Sequence, residues 1–147
     1  MKIINVTTDM IPQILEIEAS SFSVPWSEKS FIDALESEKI TLCAAIDEIG
    51  AICGFVCFLI IDTEAELLNI AVSVKERKKG IASALLEYMM GVMVSSNVEK
   101  IFLEVRESNI PARYLYEKYG FDIIGKRRKY YSNPTEDAIL MQKTIIS

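Results

Sequence analysis

Apolar and polar positions along the chain repeat with two different periods, and these periods predict a mixed order of strands and helices. An alternation of two in "KIINVT" and short apolar runs in "ITLCAAID" and "ICGFVCFLII" predict strands, the last two joined as a hairpin through "EIGA". The apolar run over 67–74 and the segments "KIFLEVR", "FDIIGKRRKYY" and "EDAILMQKTII" predict four more strands. With helices between them, the predicted order is β-α-α-β-β-β-α-β-α-β-β, which favours a mixed sheet with helices on both faces.

Four segments with apolar residues three and four positions apart predict α-helices. The stripe of the first helix contains Ile11, Ile14, Leu15 and Glu18 at helical spacing. Side chains that accept a hydrogen bond from backbone N–H groups favour helix starts, and glycine favours helix ends. The expected boundaries are Asp9 and Ser20 for the first helix, Ser27 for the start of the second, about Lys79 for the start of the third, and Asn109 and Gly120 for the fourth, with Pro111 in its first turn.

Composition limits the class of protein. The chain has 147 residues, 50% of them hydrophobic and 25% charged, which predicts a single globular domain over residues 1–147. It lacks an apolar run of about 20 residues and does not begin like a signal peptide, so we expect a soluble cytoplasmic protein that does not bind membranes. The net charge of −5 argues against a nucleic-acid partner and for a basic one. Without histidine, and with three cysteines that we expect to be buried reduced thiols (Cys43, Cys53 and Cys57), a metal site is not expected.

A basic turn before the third helix indicates an anion site. Arg77, Lys78 and Lys79 precede Gly80 at a helix start, whose free N–H groups already act as roughly half a positive charge. A phosphate bound there would pair with the amides and the cations, and Gly80 would let it approach the backbone. The alternative is a solvated basic loop with an incidental glycine. The spacing of a Walker motif is absent, so ATP hydrolysis is not predicted.

Four longer motifs carry a resemblance to a known family. "RKKGIA" fits the R/Q-x-x-G-x-G/A signature of the GNAT acyl-CoA N-acyltransferases, with Ala82 where many members have a second glycine. "SFSVPWSEKSF", "LLNIAVSVKERKKGIASALLEYM", "IFLEVRESNIPARYLYEKYGF" and "RRKYYSNPTEDAILM" resemble the RimI-type ribosomal-protein alanine N-acetyltransferases over nearly the whole chain. The resemblance implies an α/β GNAT fold: a mostly antiparallel twisted sheet of six to seven strands, helices on both faces, and a splay between strands 4 and 5.

The same resemblance implies acetyl-CoA as the co-substrate. The backbone of strand 4 would pair with the pantetheine arm as an added strand does. The residues implied in coenzyme binding are Ile70, Ala71 and Val72 on that strand, Arg77, Lys78, Lys79, Gly80, Ile81, Ala82 and Ser83 at the pyrophosphate, and Asn109, which also suits a helix cap.

Acyl transfer to an amine needs a base for the ammonium, a donor for the oxyanion and an acid for the thiolate. Glu104 lies mid-strand in "KIFLEVR", opposite its apolar neighbours, where it either faces a wet cleft or lies at a solvated sheet edge. The resemblance implies that Glu104 is the proton acceptor, with Glu66 as an alternative or helper whose other interpretation is a solvated strand end. Tyr116 lies on an apolar helix stripe, typical of a core residue, but the resemblance implies that it is the acid.

The acceptor groove is placed only by resemblance, at Trp26, Tyr130 and Tyr131, although Trp26 also suits an anchor between the first two helices. The implied reaction is direct attack, in a ternary complex, by the α-amine of a protein N-terminus, with alanine of a small-subunit ribosomal protein as acceptor. Another N-terminus, a lysine side chain or a small amine is the alternative acceptor. A non-catalytic acyl-CoA sensor, or a subunit that needs a partner to bring the acceptor, is the alternative function.

Overall fold

The computed structural model describes residues 1–145, which form one seven-stranded sheet and four α-helices. The element order is the one predicted from the hydrophobic pattern, and it is confirmed. The bounds are β1 Lys2–Asn5, α1 Ile11–Ser21, α2 Glu28–Glu36, β2 Ile40–Ile46, β3 Ile52–Ile61, β4 Glu64–Val72, α3 Ile81–Ser95, β5 Lys100–Arg106, α4 Ile110–Lys118, β6 Asp122–Tyr131 and β7 Glu136–Thr144. Residue 146, which the pattern placed in the last strand, lies outside the described residues.

The sheet has the order β1-β2-β3-β4-β5-β7-β6, and all neighbours are antiparallel except β4 and β5. This parallel pair is short. It runs only from the Glu64–Lys100 partners to the Glu66–Phe102 partners, although both strands continue well beyond that point. The predicted fold class and the splay between strands 4 and 5 are therefore confirmed.

Helices cover both faces of the sheet. One face packs against α1 and α2 through side chains such as Ile14 and Phe31, and the other packs against α3 through Leu85 and Met89. Gly54 of β3 permits this second contact, because a Cβ there would lie 2.8 Å from the carbonyl oxygen of Ala71 and also meet α3. None of the helices within residues 1–145 is long and apolar enough to cross a membrane.

Two predicted helix starts are confirmed by their capping hydrogen bonds. The side chain of Ser27 accepts from the backbone N–H of Ser30 at 3.1 Å, and the side chain of Asn109 accepts from that of Ala112 at 3.3 Å. The end of α4 at Gly120 is also confirmed. Gly120 has φ +91°, and the N–H of Phe121 donates to the carbonyl of Tyr116 at 3.0 Å, which is the Schellman arrangement.

Predicted boundaries differ from the structure at three elements. Asp9 does not cap α1: it lies inside the 3-10 turn Thr8–Met10 and accepts a hydrogen bond from the Thr7 hydroxyl. The helix α3 begins two residues after Lys79, because Lys78 and Gly80 adopt left-handed conformations that a helix cannot contain. β4 runs over Glu64–Val72 rather than over 67–74. Its first polar residues lie on an open part of the sheet face, and Val74 begins the 3-10 turn Val74–Glu76.

Candidate active site

A cavity of about 600 Å³ lies where β4 and β5 separate. Its walls come from both strands, the end of α1, the loop to α2, the start of α4 and the turn between β6 and β7. Six residues that the sequence analysis proposed for the site line this one cavity: Trp26, Ile70, Glu104, Asn109, Tyr116 and Tyr131.

A β-bulge in β4 orients the strand at the cavity. Asn69 is paired with Cys57 and Leu67 with Phe58, so Leu68 is an extra residue in the ladder. A bulge shifts the alternation of side chains, and here it turns Asn69 toward α1. Beyond Glu66, the edge of β4 that faces β5 has no ladder partner. Backbone polar groups along the predicted pantetheine segment 70–72 therefore border the gap, except that the Val72 carbonyl accepts from the Arg77 Nε at 3.2 Å.

Glu104 lies mid-strand on the sheet face opposite the buried side chains of Ile101, Leu103 and Val105, as the alternation predicted. Its side chain is 21% exposed, and its Oε1 lies 3.3 Å from the Nε of Arg127. Glu104 therefore faces a cleft, as one of the two interpretations predicted, and does not lie at a solvated edge of the sheet.

Glu66 and Tyr130, two further predicted site residues, lie near Glu104 but do not line this cavity. Burial, together with the nearby Glu104 charge, raises the pKa of Glu66. Tyr130 is half-exposed, and the Glu104 charge, burial and a hydrogen bond with the Glu104 carboxylate raise the pKa of its hydroxyl. Among residues 1–145, these carboxylates belong to no group of acidic, cysteine or histidine side chains that could hold a metal.

Tyr116 reaches the cavity from α4. The Asn109 cap and the Schellman end fix this short helix, and the Tyr116 ring packs at 5.9 Å from that of Phe121. The side chain is buried, and burial raises the pKa of its hydroxyl well above the ordinary value. Burial and the Glu104 charge raise the pKa of the neighbouring Tyr131 to about 12. Both phenols are therefore neutral donors at physiological pH.

The buried carboxylate of Glu18 connects Trp26, which lies on the wall predicted for the acceptor, to Asn69 at the β4 bulge. Glu18 accepts from the backbone N–H of Trp26 and from the Nδ2 of Asn69, each at 2.8 Å. Burial raises the pKa of Glu18, and the two hydrogen bonds oppose that shift. The Trp26 ring lies 5.2 Å from that of Phe31, so Trp26 both anchors α2 and lines the cavity. Glu18 and Asn69 were not predicted as site residues, although a carboxylate on an apolar helix stripe was a usable signal.

Arg106 connects the two loops that border the cavity. Its Nη1 donates to the Pro134 carbonyl at 2.9 Å and to Glu136 at 3.1 Å, and its Nη2 donates to the Ser23 hydroxyl at 3.2 Å. Its guanidinium also stacks 4.6 Å from the centre of the Tyr131 ring. Arg106 was not predicted as a site residue, although strand alternation places it on the same face as Glu104.

The predicted anion site is an exposed turn with free backbone donors. No side chain caps α3, whose first helical bond runs from the Ala84 N–H to the Gly80 carbonyl. Gly80 has φ +80°, and a Cβ there would meet nothing within 4 Å, so a ligand has room at the backbone. Arg77 is tied to Val72 and to the Ser21 hydroxyl (3.3 Å). The cations and the N–H groups of residues 81–83 lie at one helix start, which fits a phosphate group.

Comparison with known proteins agrees with this geometry. Residues 11–121 match the Acetyltransferase (GNAT) family. The chain is 36% identical over 137 residues to the ribosomal protein bS18-alanine N-acetyltransferase of Escherichia coli K12, covering 92% of this chain and 90% of that protein. The crystal structure of the Escherichia coli ribosomal-protein-S18-alanine N-acetyltransferase superposes with a TM-score of 0.92 at 33% identity, covering 99% and 94% of the two chains. Ard1 from Thermoplasma volcanium superposes with a TM-score of 0.89 at 26% identity, covering 99% and 98%. The chain belongs to the acetyltransferase (GNAT) family.

Proposed function

We propose that this chain transfers the acetyl group of acetyl-CoA to the α-amine of a protein N-terminus, with the N-terminal alanine of a small-subunit ribosomal protein as its acceptor. The relatives in Escherichia coli are named for that reaction on ribosomal protein bS18, and the match extends over nearly the whole chain. The observation that carries the proposal is that Glu104 and Tyr116, from a strand and a helix far apart in sequence, line one cavity at the β4–β5 splay.

Acetyl-CoA supplies a thioester whose carbonyl carbon accepts the amine. In the proposal, the N–H groups of Gly80, Ile81, Ala82 and Ser83 bind the pyrophosphate, helped by Lys78 and Lys79. Arg77 helps mainly by fixing the turn, because its guanidinium already binds β4 and α1. Ile70, Ala71 and Val72 offer the backbone edge that β5 leaves unpaired, and Asn109 contacts the coenzyme from its cap position.

Glu104 acts as the proton acceptor. A peptide α-ammonium with a pKa of about 8 is mostly charged at pH 7 and cannot attack until it loses a proton. A carboxylate facing the cavity binds that ammonium and takes the proton, directly or through water. Glu66 adds a second carboxylate on the same sheet face, which favours the arrival of a cation. Trp26, Tyr130 and Tyr131 wall the space for the first residue of the acceptor.

Tyr116 acts on the leaving sulfur. Its hydroxyl is a weaker acid than a thiol of pKa about 8.5, so complete proton transfer to the thiolate is uphill. The hydroxyl therefore contributes most while the carbon–sulfur bond breaks, when its hydrogen bond stabilises the charge developing on sulfur. In the proposal, a backbone N–H of the open β4 edge serves the carbonyl oxygen in the same way.

The test is a set of three peptides, incubated with the purified protein and acetyl-CoA, that share one sequence except for a single lysine in the third. The first begins with a free alanine amine, the second has that amine blocked, and the third has a blocked amine and one internal lysine. We expect free thiol release and a mass gain of one acetyl group only with the first. Acetylation of the third peptide, or thiol release without acceptor, would contradict the proposal.

A further inference from the structure

A second cavity, of about 580 Å³, adjoins the first on the sheet face that carries α1 and α2. It runs over the paired ends of β4 and β5 toward the β3–β4 turn, and β6 and β7 form its far side. Glu104 lines both cavities, so the second cavity leads directly into the proposed active site. Here it is called the exit groove.

Charge in the exit groove is unbalanced. Its lining contains four carboxylates, those of Asp62, Glu64, Glu66 and Glu104, and the guanidinium of Arg127. Arg127 pairs with Glu104 and is 56% exposed, and the carboxylates of Asp62, Glu64 and Glu66 form no ion pair among residues 1–145. An occupant of the groove must therefore bring positive charge.

The groove is also apolar along its sides. Ile61 is 45% exposed and Ile124 is 53% exposed, and both line it beside Phe102 of the floor. Exposed aliphatic side chains with a carboxylate rim complement a segment that carries both apolar and cationic side chains.

We propose that the exit groove binds the acceptor polypeptide just after its acetylated residue and selects cationic side chains there. This inference rests on the proposed function. Glu66 is aligned with Phe102 and Glu64 with Lys100, so the groove follows β5 for four residue steps from the level of Glu104, which is about 13 Å at roughly 3.3 Å per residue. An extended acceptor has the same rise per residue, so its second to fifth residues span the groove.

The test compares two peptides that both begin with a free alanine. One carries arginine at positions three to five, and the other carries glutamine at those positions. For the wild-type protein we expect kcat/KM to favour the arginine peptide by at least tenfold at low ionic strength. That ratio should fall to about threefold or less in 0.5 M NaCl, because salt screens exposed charges.

A double variant, Asp62→Asn with Glu64→Gln, removes two charges at the far end of the groove. Asp62 has φ +54°, a conformation that asparagine also tolerates, so the turn is preserved. The matched control, Glu16→Gln with Glu48→Gln, removes two exposed charges outside both cavities. We expect the ratio of kcat/KM values to fall at least threefold in the groove variant and to stay unchanged in the control.

Two results would overturn the inference and leave the proposed function intact. One is equal kcat/KM for the two peptides with the wild-type protein. The other is an equal fall of the ratio in the groove variant and the control, which would mean that only net charge matters. Failure to acetylate either peptide would overturn the proposed function and this inference together.

Discussion

The Nε of Arg127 on β6 lies 3.3 Å from the Oε1 of Glu104 on β5, so the pair reaches across β7, the strand between them. This ion pair holds the Glu104 carboxylate at the junction of the two cavities. Because more than half of the Arg127 side chain is exposed, solvent screens the pair, and its main contribution is orientation rather than stability. Glu66, on the neighbouring strand β4, places a negative charge near Glu104, so Glu104 has charges of both signs beside it.

Glu104→Gln should lower kcat on an alanine-starting peptide at least tenfold, because glutamine cannot accept the ammonium proton. Acetyl-CoA affinity should stay within about twofold, as measured by calorimetry. The matched control is Glu107→Gln, which removes a carboxylate just beyond the same strand, where it pairs with Lys126 at 3.0 Å. Equal kcat values for Glu104→Gln and the wild type would remove Glu104 from the mechanism.

Tyr116→Phe should lower kcat about tenfold or more with little change in acetyl-CoA affinity, because only the hydroxyl is lost and the ring still packs on Phe121. Tyr114→Phe on the same helix is the control, since that side chain is 72% exposed. Steady-state kinetics and a coenzyme titration measure the two effects. A large loss of coenzyme affinity would assign Tyr116 a binding role instead.

Periodicity and caps were enough to predict the order of the elements and the ends of α4, whereas the splay between strands 4 and 5 was predicted from the family resemblance. Ser27, Asn109 and Gly120 act through hydrogen bonds to residues within five positions along the chain, so local sequence carries their role. The direction of the Glu104 side chain was also predictable, because strict alternation in β5 places it on the face opposite its buried neighbours.

The connections between distant segments were not predictable in this way. Glu18 and Asn69 are 51 positions apart, and their contact depends on the bulge at Leu68, which no local pattern in "ELLNIAV" indicates. The four hydrogen-bond partners of Arg106 lie in the α1–α2 loop, the β6–β7 turn and the first residue of β7, and their meeting depends on the whole sheet order. Asp9 was misassigned because a residue that favours helix starts suits a 3-10 turn equally well.

Glu18→Ala should lower the free energy of unfolding by about 2–4 kcal/mol, because two buried donors lose their acceptor. It should also raise KM for the acceptor at least fivefold, since Trp26 is no longer held at the cavity wall. Glu18→Gln is the conservative control. Its oxygen can accept from Trp26 while the Asn69 amide rotates to accept from its nitrogen, so both quantities should stay near the wild-type values. Urea unfolding and peptide kinetics test this, and an unchanged KM in Glu18→Ala would refute the positioning role.

The free energy of unfolding of Glu66→Gln, relative to that of the wild type, should increase as pH rises. Burial and the Glu104 charge raise the pKa of Glu66 in the folded state above its ordinary value of 4.5. The folded chain therefore binds this proton more tightly than the unfolded chain, and wild-type stability falls as pH rises from about 4.5 through the raised pKa. Glutamine does not titrate, so its stability relative to the wild type should increase over that window and then level off. Urea unfolding at intervals from pH 4.5 to 7.5 measures the difference; a difference that is constant or decreases with pH would contradict the assignment.

Gly80→Ala should weaken acetyl-CoA binding at least fivefold. A Cβ at Gly80 meets no protein atom within 4 Å, so the fold accommodates it, but it projects into the space proposed for the pyrophosphate. The left-handed φ of +80° adds a cost of about 1–2 kcal/mol in stability.

Gly91→Ala is the matched control. Gly91 lies inside α3, the helix that Gly80 precedes, and a Cβ at Gly91 also meets nothing within 4 Å. That control should gain about 0.5–1 kcal/mol and keep its coenzyme affinity. Calorimetric titration with acetyl-CoA and urea unfolding separate the two effects. Wild-type affinity in Gly80→Ala would mean that the turn does not hold the pyrophosphate.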